Sequence, residues 1–199
     1  MIIYGITPDY GGSGFFEKTE RILMAGIEIL QYRDKTASDQ TFIENAKKLK
    51  EMCRNHGTVF YIDDRVHLYD EIQSDGVHVG KDDVDVSLVR EKYHDVLIGA
   101  SSYCDPELAL KLERKGANYI AFGSMYPTQT KKDYSLCAPE IIRVVRKKVR
   151  IPIYAIGGIN FQNISKIVDL RYDGIAVSSL LYSSEDPYST TMQLRSVIL

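Results

Sequence analysis

The sequence lacks any apolar run long enough to span a membrane, and its first residues are not expected to be a signal peptide. Its first ten residues, MIIYGITPDY, hold a short apolar stretch with no basic residue ahead of it. It also lacks an excess of either charge: 25 Lys and Arg stand against 27 Asp and Glu, a net −2. No general positive field is available for nucleic acid or an anionic membrane, so any bound anion must be held by a few placed cations. Cysteine is scarce. Cys53, Cys104 and Cys137 are far apart and form no CxxC, so neither a disulfide framework nor a zinc site is expected, and a reducing cytoplasm is the expected compartment. There is no GxSxG elbow, no Walker loop, no HExxH and no Cys–His pairing, which leaves covalent catalysis without a candidate. His56, His67, His78 and His94 show no metal-ligand spacing. His78 falls inside a strand and reads as structural.

What is present is an alternation. The chain has 199 residues, 44% hydrophobic and 26% charged, enough for one domain over 1–199 with a real core. Eight short β-branched runs are predicted as strands: Ile2–Ile6, Ile27–Gln31, Val59–Ile62, Gly76–Val79, Val96–Ala100, Tyr119–Phe122, Ile153–Ile156 and Gly174–Val177. Amphipathic segments lie between them. Phe42, Ala46, Leu49 and Cys53 share a helical face, as do Ile141, Ile142, Val144 and Val145, while Ile164, Ile167 and Val168 mark another helix. Ser38 and Asp105–Pro106 read as helix starts; Gly26, Gly57 and Gly116 read as stops. A last helix is predicted near Tyr188–Ile198. Eight strand–helix units predict a single α/β domain, a (β/α)8 TIM barrel with lean loops. A doubly wound open sheet is the alternative, weakened by the missing GxGxxG after the first strand.

In such a barrel the chemistry lies just past each strand's C-terminal end. After the second strand, alternation puts Gln31, Arg33 and Lys35 on one side, where a planar fork and a point charge suit phosphate oxygens; a solvated basic loop is the plainer reading. Asp63-Asp64-Arg65 and Gly80-Lys81-Asp82-Asp83 follow the third and fourth strands. Clustered carboxylates suit Mg²⁺, although Asp is also common as a helix cap. Ser101 ends the fifth strand. The longest irregular stretch, Gly123 to Asp133, carries Thr128, Thr130, Lys131 and Lys132, a set suited to phosphate recognition and a lid. Gly157-Gly158 after the seventh strand and Ser178-Ser179 after the eighth occupy the recurrent phosphate position of this fold.

These segments resemble the thiamine-phosphate synthase family over nearly the whole chain and in order. LQYRDK (30–35) is similar to the family's Q-x-R-x-K, YIDDR (61–65) to its NDR motif, and GVHVGKDD (76–83) to GVHLGQxD. IGASSY (98–103) is similar to its strand-five serine segment, FGSMYPTQTKKD (122–133) to GPxxPTxTK, and AIGGIN and GIAVSS to its final phosphate site. The resemblance implies that a hydroxymethylpyrimidine diphosphate loses pyrophosphate to a thiazole phosphate nitrogen. It implies that Gln31 and Ser101 orient the pyrimidine, with Asp63 beside them. Arg33, Lys35 and Lys131, with Thr128 and Thr130, would hold the diphosphate. Asp64 and Asp83 would carry Mg²⁺, and Gly158, Ser178 and Ser179 would bind the thiazole phosphate. It implies small-molecule substrates, no nucleic acid and no membrane, and leaves a homodimer open. Three departures stand out: Asp63 replaces the usual Asn, Lys81 replaces a Gln, and the chain starts almost at the first strand, without the family's N-terminal extension. The alternatives are a thiazole tautomerase-like isomerase and a non-catalytic thiazole-phosphate-binding relative. The isomerase branch places a histidine just after the strand-five serine, where this chain has Ser102-Tyr103; a relative without turnover would explain Asp63.

Overall fold

Each run of β-branched and aromatic residues becomes a strand, and each strand pairs in parallel with the next. A computed structural model describes the chain except for residues 10, 11, 13 and 129–134. The strands are β1 (Ile2–Ile6), β2 (Ile29–Tyr32), β3 (Val59–Asp63), β4 (Gly76–Val79), β5 (Leu97–Tyr103), β6 (Tyr119–Phe122), β7 (Ile153–Ile156) and β8 (Gly174–Val177). They close in sequential order, β8 pairing with β1, so the expected barrel forms among the described residues. The helices are α1 (Phe15–Met24), α2 (Asp39–His56), α3 (Tyr69–Ile72), α4 (Val86–Lys92), α5 (Pro106–Arg114), α6 (Ile142–Val145), α7 (Ile164–Asp169), α8 (Ser179–Tyr182) and α9 (Pro187–Ile198).

Local signals act where the sequence placed them. The Ser38 hydroxyl accepts the Thr41 N–H and starts α2; Asp105 accepts the N–H groups of Glu107 and Leu108 and starts α5. Phe42, Ala46, Leu49 and Cys53 are all buried on one face of α2. Burying Phe42 and Leu49 contributes roughly 1.5–3 kcal/mol each, which fixes that face against the sheet.

Several expectations need correction. β2 starts at Ile29, because the Glu28 carboxylate, not a backbone carbonyl, takes the Ile3 N–H. β5 runs on to Tyr103 through a register shift between Ser101 and Tyr103, which buries Ser102. α6 is a single turn after a 3-10 turn at Pro139–Ile141, and Val144 points outward from it. Cys104 and Cys137 form a disulfide, with Cα atoms 5.6 Å apart, leaving Cys53 as a buried free thiol. Their separation of 33 residues hid the pairing; the neighbouring of β5 and β6 creates it. The cysteine argument for a reducing compartment therefore falls. Among the described residues no helix is long and apolar enough to cross a membrane.

Alternation along the strands separates two apolar layers. Ile3, Phe60, Ile62, Val77 and Val79 belong to the layer shared with the helices, whereas Tyr4, Tyr61, Tyr119 and Tyr154 fill the barrel interior. These four rings pack with centroids 4.7–6.1 Å apart, several edge to face. Gly76 and Gly99 make room: a Cβ at either would strike the ring of Tyr61 or Tyr119. The tyrosine layer forms a floor. Above it each strand offers one more inward residue, and those residues meet the cavity.

Candidate active site

The floor lies beneath a cavity of about 370 Å³ at the C-terminal ends of the strands. Gln31, Asp63, His78 and Ser101 are the inward residues that cap β2, β3, β4 and β5, and all four line it. Arg33 and Lys35 follow Gln31 at the same spacing and also line it. Their loop is held to β1. Thr7 Oγ1 accepts the Arg33 N–H at 2.9 Å and donates to the Arg33 carbonyl at 3.1 Å. Asp9 Oδ1 accepts from Arg33 Nη1 at 3.0 Å and from the Lys35 N–H at 2.9 Å.

The acidic cluster splits by role. Asp63 is buried: Gln31 Nε2 donates to its Oδ1, and Arg33 Nε and Lys35 Nζ each lie 3.8 Å from its Oδ2. Burial outweighs the attraction of those two cations and pushes the Asp63 carboxyl up to about 6; Asp83 adds to the rise. Asp64 leaves the strand with φ 59°, and its N–H donates to the His78 carbonyl at 2.8 Å. Its carboxylate pairs with the Lys35 ammonium. Asp83 Oδ2 accepts the Gly80 N–H at 2.7 Å, which folds the loop after β4 back on itself. Arg65 turns away and donates to the carbonyls of Asp34 and Ala37.

The other side of the mouth is built from backbone. Gly157 and Gly158 have φ 98° and 63°, and a Cβ would strike Ser124 Oγ at the first and the Pro127 carbonyl at the second. The Met125 and Tyr126 N–H groups donate to the carbonyls of Ile156 and Gly157 and hold the β6 and β7 loops together. Thr128, Gly158, Ser178 and Ser179 line the same cavity as the charged residues. By strand order, β7 and β8 stand across the barrel from β3 and β4. The site thus offers cations and carboxylates on one wall and close backbone with hydroxyls on the opposite one, where Ile156 and Ala176 add apolar contacts, with Ile6 and Ala121 between the walls.

Of the residues singled out in the sequence, Gln31, Arg33, Lys35, Asp63, Asp64, Asp83, Ser101, Thr128, Gly158, Ser178 and Ser179 all line this one cavity. Thr130 and Lys131 lie outside the described residues. Among the described residues no group of three or more His, Cys, Asp or Glu gathers as a metal site. Asp64 and Asp83 share the cavity as hard oxygen donors, which fits an ion that takes one or two carboxylates and completes its shell with substrate phosphates and water. His78, Tyr103 and Ser124 also line the cavity and were not singled out as site residues. Period-two counting identifies His78: Val77 and Val79 face the helices, so the residue between them faces inward.

A family profile described as thiamine monophosphate synthase matches residues 3–181. A thiamine-phosphate synthase of Thermoplasma acidophilum is 39% identical over 196 residues, 98% of this chain and 92% of that protein. One from Picrophilus torridus is 40% identical over 189 residues, covering 95% and 92%. Among solved structures, a thiamine phosphate pyrophosphorylase from Pyrococcus furiosus superposes with a TM-score of 0.89 at 33% identity, over 99% of this chain and 95% of that one.

Proposed function

The chain belongs to the thiamine monophosphate synthase family, and from that premise we propose that it joins a hydroxymethylpyrimidine diphosphate to a thiazole phosphate, forming thiamine phosphate and releasing pyrophosphate. The observation that carries this reading to residues is the shared cavity of Arg33, Lys35, Asp64 and Asp83 on one wall and Gly158, Ser178 and Ser179 on the other.

The reaction needs little covalent chemistry from the protein. The C–O bond to the diphosphate breaks and its electron pair leaves on the diphosphate oxygen. The thiazole nitrogen lone pair then forms the C–N bond at the same carbon. Diphosphate departs slowly until its growing charge is met by fixed cations. Arg33 and Lys35 supply those from the loop after β2, with the Thr128 hydroxyl after β6; Thr130 and Lys131, next in the sequence, would add a hydroxyl and a cation. Asp64 and Asp83 would hold Mg²⁺, which supplies further neutralisation of the diphosphate oxygens. Lys35 now pairs with Asp64, so a bound diphosphate competes for that ammonium and frees the carboxylate. Gln31 and Ser101 orient the pyrimidine above the tyrosine floor, and Asp63 fixes Gln31. The backbone at Gly158 and the Ser178–Ser179 turn take the thiazole phosphate, so the two substrates meet between the walls.

The test is direct. Incubation with both substrates and Mg²⁺ is expected to yield thiamine phosphate and pyrophosphate in equal amounts. Tight thiazole phosphate binding with no pyrophosphate would instead favour a non-catalytic relative.

A further inference from the structure

Six side chains from six strands form one hydrogen-bonded chain through the barrel interior. Gln31 Nε2 donates to Asp63 Oδ1, and the Tyr4 hydroxyl donates to Gln31 Oε1 at 2.9 Å. The Tyr4 and Tyr119 hydroxyls are 2.6 Å apart, and the Tyr119 hydroxyl lies 2.8 Å from His78 Nδ1. His78 Nε2 lies 2.9 Å from Ser101 Oγ.

The direction of this chain is set at Gln31. Its amide nitrogen donates to Asp63 Oδ1 and its oxygen accepts from the Tyr4 hydroxyl. A phenol has one proton to give. Tyr4 gives its own to Gln31 and must accept from Tyr119. Tyr119, having given its proton to Tyr4, must accept from His78 Nδ1. Burial holds both phenols well above their ordinary range, so neither gives up its proton. An imidazole protonated on Nδ1 has a lone pair on Nε2, and the only proton within reach on Ser101 is that of its hydroxyl. With an amide at position 63, the Gln31 end could flip and the chain could run either way. The carboxylate removes that freedom.

We propose that His78 is a positioning residue: held as its Nδ1–H tautomer, it takes the Ser101 hydroxyl proton, turns the Ser101 oxygen lone pairs toward the cavity, and so selects a ring that presents an N–H donor there. An aminopyrimidine meets that demand, whereas an oxopyrimidine sets a carbonyl against a lone pair. The identity of the ring rests on the synthase reading; the tautomer does not.

The test has two arms. In protein labelled with ¹⁵N-histidine, long-range ¹H–¹⁵N spectra at pH 8 report each ring's tautomer, and His78→Asn identifies which signals belong to His78. Protonated Nδ1 with bare Nε2 is expected in the absence of any ligand; a protonated Nε2 overturns the proposal. In the second arm, calorimetry compares two unreactive diphosphate analogues in which a methylene replaces the ester oxygen, one on a 4-aminopyrimidine ring and one on its 4-oxo counterpart. The amino ring is expected to bind at least about tenfold more tightly, the cost of one unmatched buried polar contact. Ser101→Ala is expected to bring the ratio close to one. A ratio that Ser101→Ala leaves unchanged overturns the selection. Failure of both analogues to bind the unaltered protein overturns the selection and the synthase reading together, while the tautomer arm still decides the direction of the chain.

Discussion

The Gln31 amide nitrogen donates to the buried Asp63 carboxylate, while Lys35 Nζ stands 3.8 Å from the other carboxylate oxygen. Two steps of strand alternation, through Arg33, separate that amide from the ammonium. Asp63 is buried, and a neutral donor with two cations at 3.8 Å does not offset the solvation it loses.

Asp63 therefore ties stability to pH. Its carboxyl is raised from 3.8 to about 6, chiefly by burial. A raised carboxyl favours the folded state fully at low pH, and that contribution is lost as pH rises from the unfolded value through about 6. The shift corresponds to about 3 kcal/mol. Asp63→Asn carries no such term, so in metal-free protein it should gain stability relative to the parent between about pH 4 and pH 7.5. Urea unfolding of both proteins at those two pH values checks this; a difference that is the same at both would refute it.

Asp64→Asn should lower Mg²⁺-dependent pyrophosphate release by at least about a hundredfold with the fold intact. Asn tolerates the left-handed backbone at this position, φ 59°, better than Ala does, so loss of activity will not be confused with loss of structure. Parallel measurements of turnover and melting temperature separate the two. Turnover like that of the parent would defeat the metal assignment.

Gly158→Ala should raise KM for the thiazole phosphate by about tenfold or more, through strain of about 1–3 kcal/mol at a backbone the fold cannot relax. The residue has φ 63°, and the added Cβ would strike the Pro127 carbonyl. Relieving that contact displaces the Gly158 backbone, and with it the backbone offered to the phosphate. Binding of the pyrimidine diphosphate analogue should change far less; equal loss for both ligands would contradict the two-walled division.

The disulfide can be counted. Unfolded without reductant, the protein should titrate one thiol, that of Cys53; after reduction it should titrate three. A bridge closing 33 residues constrains the unfolded chain by about 3–4 kcal/mol, so Cys104→Ser should cost about that much in chemical unfolding. Three titratable thiols without reductant would show the pair to be open.

Much of this molecule was legible in its amino-acid order. The eight strands could be located from short β-branched runs, and five of them to the residue. The motif residues Arg33, Lys35, Asp64, Asp83, Gly158 and Ser178 follow strand ends, and closing the barrel gathers all strand ends at one mouth. The errors had local causes that pattern does not carry. A side-chain carboxylate displaced a ladder bond at Glu28, and a register shift lengthened β5. His78 lies between Val77 and Val79, so period two turns it to the cavity, a signal that its residue type alone does not carry.

The sequence by itself determined the period of the elements and the polar residues just past the strand ends, because those are properties of a few consecutive residues; the parallel order follows from the strand–helix alternation, whose helices are the crossovers that parallel neighbours need. Only the tertiary structure decided the Cys104–Cys137 bridge, the elevated Asp63 carboxyl and the relay from Asp63 to Ser101. Each of these needs groups distant along the chain to meet at ångström separation away from water, and that proximity exists only once the sheet has closed on itself.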